Sequence, residues 1–143
     1  MLIGVLGLKY AGKDTTSDYL VSNYGYKKLT FAQPLKDACK VLFNLDEEQL
    51  YGSKKEDIDP RWGTSPRIIY QYLGTEIFRN DIQKILPNIG NNFWINLTID
   101  NYKKIKNNKV VISDVRFPNE AEAIRKEGGI IIKVIRPNNH NKD

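Results

Sequence analysis

The residues best suited to chemistry stand close to the amino terminus. Gly7-Leu8-Lys9-Tyr10-Ala11-Gly12-Lys13 has the G-x-x-x-x-G-K spacing of a phosphate-binding loop, or P-loop. It follows the apolar run Leu2 to Leu6 and precedes Tyr19-Leu20-Val21, which are spaced for a helix face, so it lies in the strand–loop–helix context the motif requires. Glycines let the backbone bend tightly enough to aim successive N–H groups at phosphate oxygens. The helix amino terminus adds its dipole, and Lys13 supplies a full positive charge at the β/γ bridge. Together they suit a nucleoside triphosphate; the bland alternative is a Gly-rich turn that binds nothing.

Asp14 occupies the position where most P-loops place the Ser or Thr that reaches magnesium, and Thr15 and Thr16 follow it. A carboxylate there can act as a base, organise the phosphate site, orient metal-bound water or cap the helix. A role as base or phosphate-site organiser, or in orienting metal-bound water, is favoured over the cap, because an acid beside a triphosphate needs a reason. A second candidate is Val110-Val111-Ile112-Ser113-Asp114-Val115-Arg116, an apolar strand that carries an acid and a base to its carboxyl end, where ligands bind in open α/β sheets. Asp114 can hold magnesium through water, and the planar fork of Arg116 can clamp a phosphate; the plain alternative is a surface Asp-Arg pair.

A phosphate acceptor must be held against its repulsion from the triphosphate, which requires a second set of cations. Lys36, Arg61, Arg67 and Arg79 are the candidates. Arg67 follows Pro66 at a helix start, where the dipole disfavours a cation unless an anion is near, and is the better of them; Arg79 is assigned to structure. Trp62 and Trp94 can stack on a base or pack in a core. His140, alone in a polar tail, is given no catalytic role.

The elements that position these residues read as α/β throughout. Strands are expected at Leu2 to Leu6, Leu29 to Ala32, Val110 to Asp114 and Ile130 to Ile135, with helices after Pro34, over Pro66 to Asp81 with Gly74 as a weak point, over Phe93 to Ile105, and from a cap at Asn119 through Lys126. Continuous apolar strands separated by helices imply a mainly parallel sheet covered on both faces, a three-layer sandwich. The polar stretch Asn44 to Ser65 is expected to be an acceptor-side insertion and mobile flap.

Four segments resemble the deoxynucleoside monophosphate kinases of phages and large DNA viruses, a family of P-loop kinases: Gly7 to Thr16, Phe31 to Ala38, Pro66 to Glu76 and Ser113 to Gly129, in the family's order. The resemblance implies transfer of the γ-phosphoryl of ATP, with magnesium, to a deoxynucleoside 5′-monophosphate. It implies that Gly7, Gly12, Lys13, Thr15 and Thr16 surround the ATP phosphates and that Lys9, Leu35, Lys36, Arg67, Gly74, Thr75, Trp94 and Glu120 hold the acceptor. Lys13, Asp14, Arg67, Asp114 and Arg116 would be catalytic, and Thr15 and Asp114 would serve the metal. Tyr10 stands where some members have Arg. Members continue past the last strand, which creates the expectation of a missing carboxy-terminal part, and their dimerisation makes a homodimer the expected assembly.

Composition bounds these readings. The chain has 143 residues, 41% of them hydrophobic and 27% charged, enough for one core and too few for two ordinary domains. No apolar run is long enough to span a bilayer, and the single cysteine, Cys39, has no internal partner, so a cytoplasmic setting is expected. A net charge of +5 favours an anionic partner. The alternatives are a P-loop NTPase, a kinase of another small molecule, or a nucleic-acid-binding module, the last lacking any interleaving of aromatic and basic residues.

Overall fold

The computed structural model describes residues 1–7 and 11–137; Lys9, Tyr10 and His140 lie outside them. In chain order the elements are β1 (Leu2–Gly7), α1 (Lys13–Tyr24), β2 (Lys27–Leu29), α2 (Gln33–Phe43), α3 (Glu47–Tyr51) and α4 (Pro66–Tyr72), which runs into a π-helical segment (Leu73–Asn80) and a 3₁₀ turn (Asp81–Lys84). Then come α5 (Phe93–Lys103), β3 (Val110–Val115), α6 (Pro118–Lys126) and β4 (Ile130–Val134). The chain divides into two compact units, one holding Met1–Phe31 and the residues from Ile95 onward, the other Ala32–Trp94.

The first unit is a four-stranded sheet in the order β2-β3-β1-β4, and every pair is parallel. Side chains alternate across the pleat, so the apolar runs of β1 and β3 bury both faces. On one face Leu2, Val110 and Ile112 pack with Ile95 and Ile99 of α5 and Ala121 and Ile124 of α6. On the other, Ile3, Val5 and Val111 pack with Leu20 of α1. Helices therefore cover both faces of a parallel sheet, the three-layer α/β sandwich that the uninterrupted apolar strands imply. Each such side chain contributes about 1.5–3 kcal/mol on burial, which makes the central strands the fixed part from which loops at their carboxyl ends project.

Several boundaries differ from those expected: the helix expected over Pro66 to Asp81 is α-helical only to Tyr72, α5 and β4 stop short of Ile105 and Ile135, and two further differences have a plain cause. β2 covers Lys27–Leu29 rather than Leu29 to Ala32. Beyond Leu29 the chain turns, because the Phe31 N–H donates to Asp114 Oδ1 at 2.9 Å instead of extending the ladder. α6 starts at Pro118, so Asn119 lies inside it and is not its cap; Pro in the first turn and Glu120, reaching back to the Phe117 N–H at 3.0 Å, start the helix instead.

In the second unit α2 carries Pro34 in its first turn, as expected, and buries Cys39 completely; burial pushes the thiol up to about 11, so the sulfur is an unreactive core group. The polar segment 44–65 is organised by charge. Asp46 caps α3 through the Gln49 N–H, and the Gln49 side chain accepts from the Asp46 N–H in return, a reciprocal box. Asp59, its side chain only 4% exposed, is forked by Arg61 at 2.7 and 3.1 Å and bonded by Gln49 at 2.9 Å. Arg61 also donates to the Asn44 carbonyl, and Trp62 donates to the Phe43 carbonyl and meets the Phe43 ring edge-on. Arg61, a candidate anion grip from the sequence, is thus committed to holding this segment together.

Among the described residues, no helix is long and apolar enough to cross a membrane. The Arg61 guanidinium and the Gln49 amide hold the Asp59 carboxyl well below the usual carboxylate range. A depressed native value means that the unfolded chain takes up the proton first, so the stability due to Asp59 is present above about pH 4 and is lost as pH falls below it. Asp59→Asn is expected to lower the melting temperature at pH 7, and thermal denaturation from pH 7 to pH 2.5 should show the gap to the unsubstituted protein closing below about pH 4.

Candidate functional site

At the carboxyl end of β1 the chain enters the glycine motif and returns as α1. Gly12 stands just before α1 with φ 101° and ψ 27°, a left-handed conformation costly for any residue with a Cβ. The first intrahelical bond runs from the Thr16 N–H to the Gly12 carbonyl at 3.0 Å. Among the described residues, no side chain caps the helix start. The first-turn N–H groups have no intrahelical partner in any helix, so here they face outward with the positive end of the dipole. Gly7 packs against β4: a Cβ built on it would sit 2.9 Å from the Val134 carbonyl oxygen and 3.2 Å from Lys13 Cγ. The half-buried Lys13 stem therefore lies over the end of β1, and the two ends of the motif meet.

The remaining hydroxyls and acids of the motif divide. Thr15 is exposed, Thr16 is half-buried, and Ser17, fully buried, donates to the Lys13 carbonyl at 2.9 Å. The Asp14 side chain is 82% exposed and pairs with Lys28 of β2 at 3.2 Å; Asp18, one turn on, lies at the same distance from that ammonium. Burial works against the charge of Lys28, but the two carboxylates outweigh it and hold the ammonium above its ordinary value. Lys28 escaped the sequence reading, since nothing in a three-residue edge strand marks its partner.

Asp114 is half-buried at the carboxyl end of β3, with one oxygen fixed by the Phe31 N–H. Arg116, exposed, follows it on the turn into α6. Glu120 fixes that turn: its Oε1 accepts from the Arg116 N–H at 2.8 Å and from the Phe117 N–H at 3.0 Å. Burial, with Asp114 adding to it, raises the Glu120 carboxyl above its ordinary value against the pull of those two N–H groups. Sequence reading gave Glu120 only an implied place at the acceptor; the spacing Phe117-x-x-Glu120 ahead of an apolar helix face was the available signal for its backbone contacts.

In the second unit three of the expected acceptor residues gather at Gly74. Leu35 Cδ2 occupies the space a Cβ on Gly74 would need, at 2.6 Å, and the Trp94 indole Nε1–H donates to the Gly74 carbonyl at 3.0 Å. Phe78 and Phe93 pack on Trp94 with ring centres 5.5 and 5.0 Å away, so this tryptophan is partly a packing residue. Thr75 is exposed beside Gly74. Lys36 holds its ammonium 4.4 Å above the Tyr51 ring. Arg67 sits in the first turn of α4, which Ser65 caps through the Ile68 N–H. Its Nε approaches a Glu56 oxygen to 3.2 Å, yet this buried atom makes no hydrogen bond.

A family model described as deoxynucleotide monophosphate kinase matches residues 1–59 and 53–143. The chain belongs to the deoxynucleotide monophosphate kinase family. It is 44% identical to a putative deoxynucleotide monophosphate kinase of Acanthamoeba polyphaga mimivirus, over 96% of this chain and 75% of that protein. It is 24% identical to the deoxynucleotide monophosphate kinase of Enterobacteria phage T4, over 99% of this chain and 84% of the relative. That second alignment is 211 positions long for a 143-residue chain, so the phage kinase carries segments with no counterpart here. The two family-model matches overlap at residues 53–59, within the segment organised by Asp59.

For a kinase of this family, the packing of Leu35 on Gly74 gives a direct test. Gly74→Ala gains helix propensity, up to about 1 kcal/mol, but forces Leu35 to move. Urea denaturation of Gly74→Ala, Leu35→Ala and the double variant should show the pair to be coupled, with the double variant more stable than the sum of the single changes by about 0.5 kcal/mol or more. Strict additivity would mean that the two side chains do not compete for that space.

Proposed function

We propose that the protein transfers the γ-phosphoryl group of ATP to the 5′-phosphate of a deoxynucleoside monophosphate, giving ADP and the deoxynucleoside diphosphate. The observation that carries this reading is left-handed Gly12 at the start of α1, with the Lys13 stem folded over the end of β1, in a member of this kinase family. An oxygen of the acceptor phosphate forms a bond to the γ-phosphorus as the bond from that phosphorus to the β–γ bridging oxygen breaks. The acceptor oxygen is already ionised near neutral pH, so positioning and charge neutralisation matter more than proton removal.

Gly7 and Gly12 shape the loop, while Lys13 and the α1 N–H groups, with Thr15 and Thr16, bind the triphosphate. Arg67 and Arg116 neutralise the phosphates that approach and depart, and Glu120 positions the turn that carries Arg116. Leu35, Lys36, Gly74, Thr75 and Trp94 shape the acceptor site together with Lys9. Asp14 organises the phosphate site after exchanging its partner Lys28.

Magnesium prefers hard oxygen donors and keeps much of its water, and the exposed Thr15 hydroxyl and the Asp114 carboxylate, reached through water, are donors of that kind. When bound, the ion would offset negative charge on the β- and γ-phosphates. A homodimer and a cytoplasmic site of action complete the proposal.

A coupled assay of ADP release across the four deoxynucleoside monophosphates tests it. Turnover that depends on a monophosphate is expected, falling roughly 10²–10³-fold in Lys13→Ala with the circular dichroism spectrum unchanged. ATP consumption equal with and without every acceptor would instead mark a hydrolase.

A further inference from the structure

The segment that begins at Arg67 ends with a second guanidinium in an unusual state. Arg79 Nε is buried and meets no hydrogen-bond acceptor, and among the described residues the side chain has no ion-pair partner. Other cations of the same unit are engaged: Arg61 with Asp59, Lys40 with Glu47 and Lys84 with Asp81. A structural arginine is normally buried because a carboxylate or carbonyl satisfies its fork, and an enclosed donor without an acceptor is destabilising. Arg79 is assigned to structure by its sequence position; among the described residues its Nε has no acceptor for that role.

Its backbone setting points to a ligand. Arg79 lies in the π-helical segment Leu73–Asn80, a wide form that is rare and concentrated at functional sites. The segment is anchored at its start, where Trp94 holds the Gly74 carbonyl and Leu35 fills the space above Gly74. One wide turn on, residue 79 comes beneath 74 and 75, so Arg79 neighbours the exposed Thr75 on the helix surface. Arg67 lies twelve residues earlier, about 15–18 Å along the axis, so the two guanidiniums would take different parts of a ligand rather than duplicate each other.

We propose that Arg79 is an acceptor-binding residue, donating through its guanidinium to an oxygen of the nucleoside monophosphate. This deepens the reading of the preceding subsection and rests on it. The oxygen belongs either to the base or to the 5′-phosphate, and either offers an acceptor to the guanidinium, whose enclosed Nε–H reaches it by rotation of the side chain.

The test compares the unsubstituted protein with Arg79→Met and Arg79→Lys by steady-state kinetics, by calorimetric titration with deoxynucleoside monophosphates, and by melting temperature. Both variants are expected to raise KM and Kd for the monophosphate about tenfold or more and to leave KM for ATP within about twofold. Arg79→Lys keeps the charge and loses the Nε–H, so it serves if the methionine variant fails to fold. Deoxyribose 5-phosphate as a competitor separates the sources: its inhibition constant rises in parallel if Arg79 holds the phosphate and stays constant if it holds the base. Unchanged acceptor affinity in both variants would overturn the proposal, as would equal losses for ATP and monophosphate. If the unsubstituted protein binds monophosphates but transfers nothing to them, the kinase reading falls while the titrations still decide the role of Arg79; if it binds none, both fall.

Discussion

A polyanion cannot be held by a backbone unless several N–H groups converge on it, and a right-handed chain leaving a strand does not present them that way unaided. The left-handed residue at Gly12 turns the chain into α1, the bend on which the proposed grip depends. It sets the entry angle of α1, leaves the first-turn donors without a side-chain cap among the described residues, and brings Lys13 back over the end of β1. The rest of the first unit supports that bend. β1 is paired on both sides and buried on both faces, so the point from which the loop departs is fixed by the most stable part of the sheet. The same sheet delivers Asp114 and the Arg116 turn at the carboxyl end of the neighbouring strand β3.

The second unit uses a different kind of order. Its apolar cluster is small, built on Cys39, Leu45, Leu50 and Leu73, and polar contacts do much of the remaining positioning. Asp59, forked by Arg61 and bonded by Gln49, closes the segment between α3 and α4. Ser65 caps α4, and Trp94 holds the Gly74 carbonyl where the α-helix widens into the π-helical segment. That widened segment carries Thr75 and Arg79 one turn apart, and the buried Arg79 Nε makes no hydrogen bond. Among the described residues Arg61 is paired with Asp59 and bonded to the Asn44 carbonyl, Arg67 Nε lies 3.2 Å from a Glu56 oxygen, and Arg79 Nε has no acceptor.

Much of the fold was legible because burial on both faces writes a strand as an uninterrupted apolar run: Leu2 to Leu6 and Val110 to Ile112 carry that signature, and Pro34 and Pro66 mark helix starts through their fixed φ. What escaped depends on partners distant in sequence. β2 was misplaced because an edge strand of three residues has no periodicity, and its end is set by Asp114, 83 residues beyond Phe31. The segment 44–65 reads as a loop by composition; its order comes from Asp59, whose carboxylate is indistinguishable in sequence from any surface acid. Gly74 was seen as a weak point in a helix, but nothing local to it shows that its carbonyl is taken by Trp94, twenty residues on, or that the helix widens there. In the candidate site, spacing alone showed the glycines and Lys13. It did not show that Asp14 pairs with Lys28, that Glu120 grips the turn of Arg116, or that Arg61 and Arg79 differ in whether a carboxylate reaches them.

The central claim is that backbone donors behind Gly12 grip the phosphate tail of a nucleotide. Isothermal titration with adenosine, AMP, ADP and ATP in the presence of magnesium measures this directly. The account predicts affinity that climbs with each added phosphate, with adenosine bound too weakly to detect and the climb flattened in Gly12→Val; equal affinity for adenosine and ATP, or an undiminished climb in that variant, would contradict it.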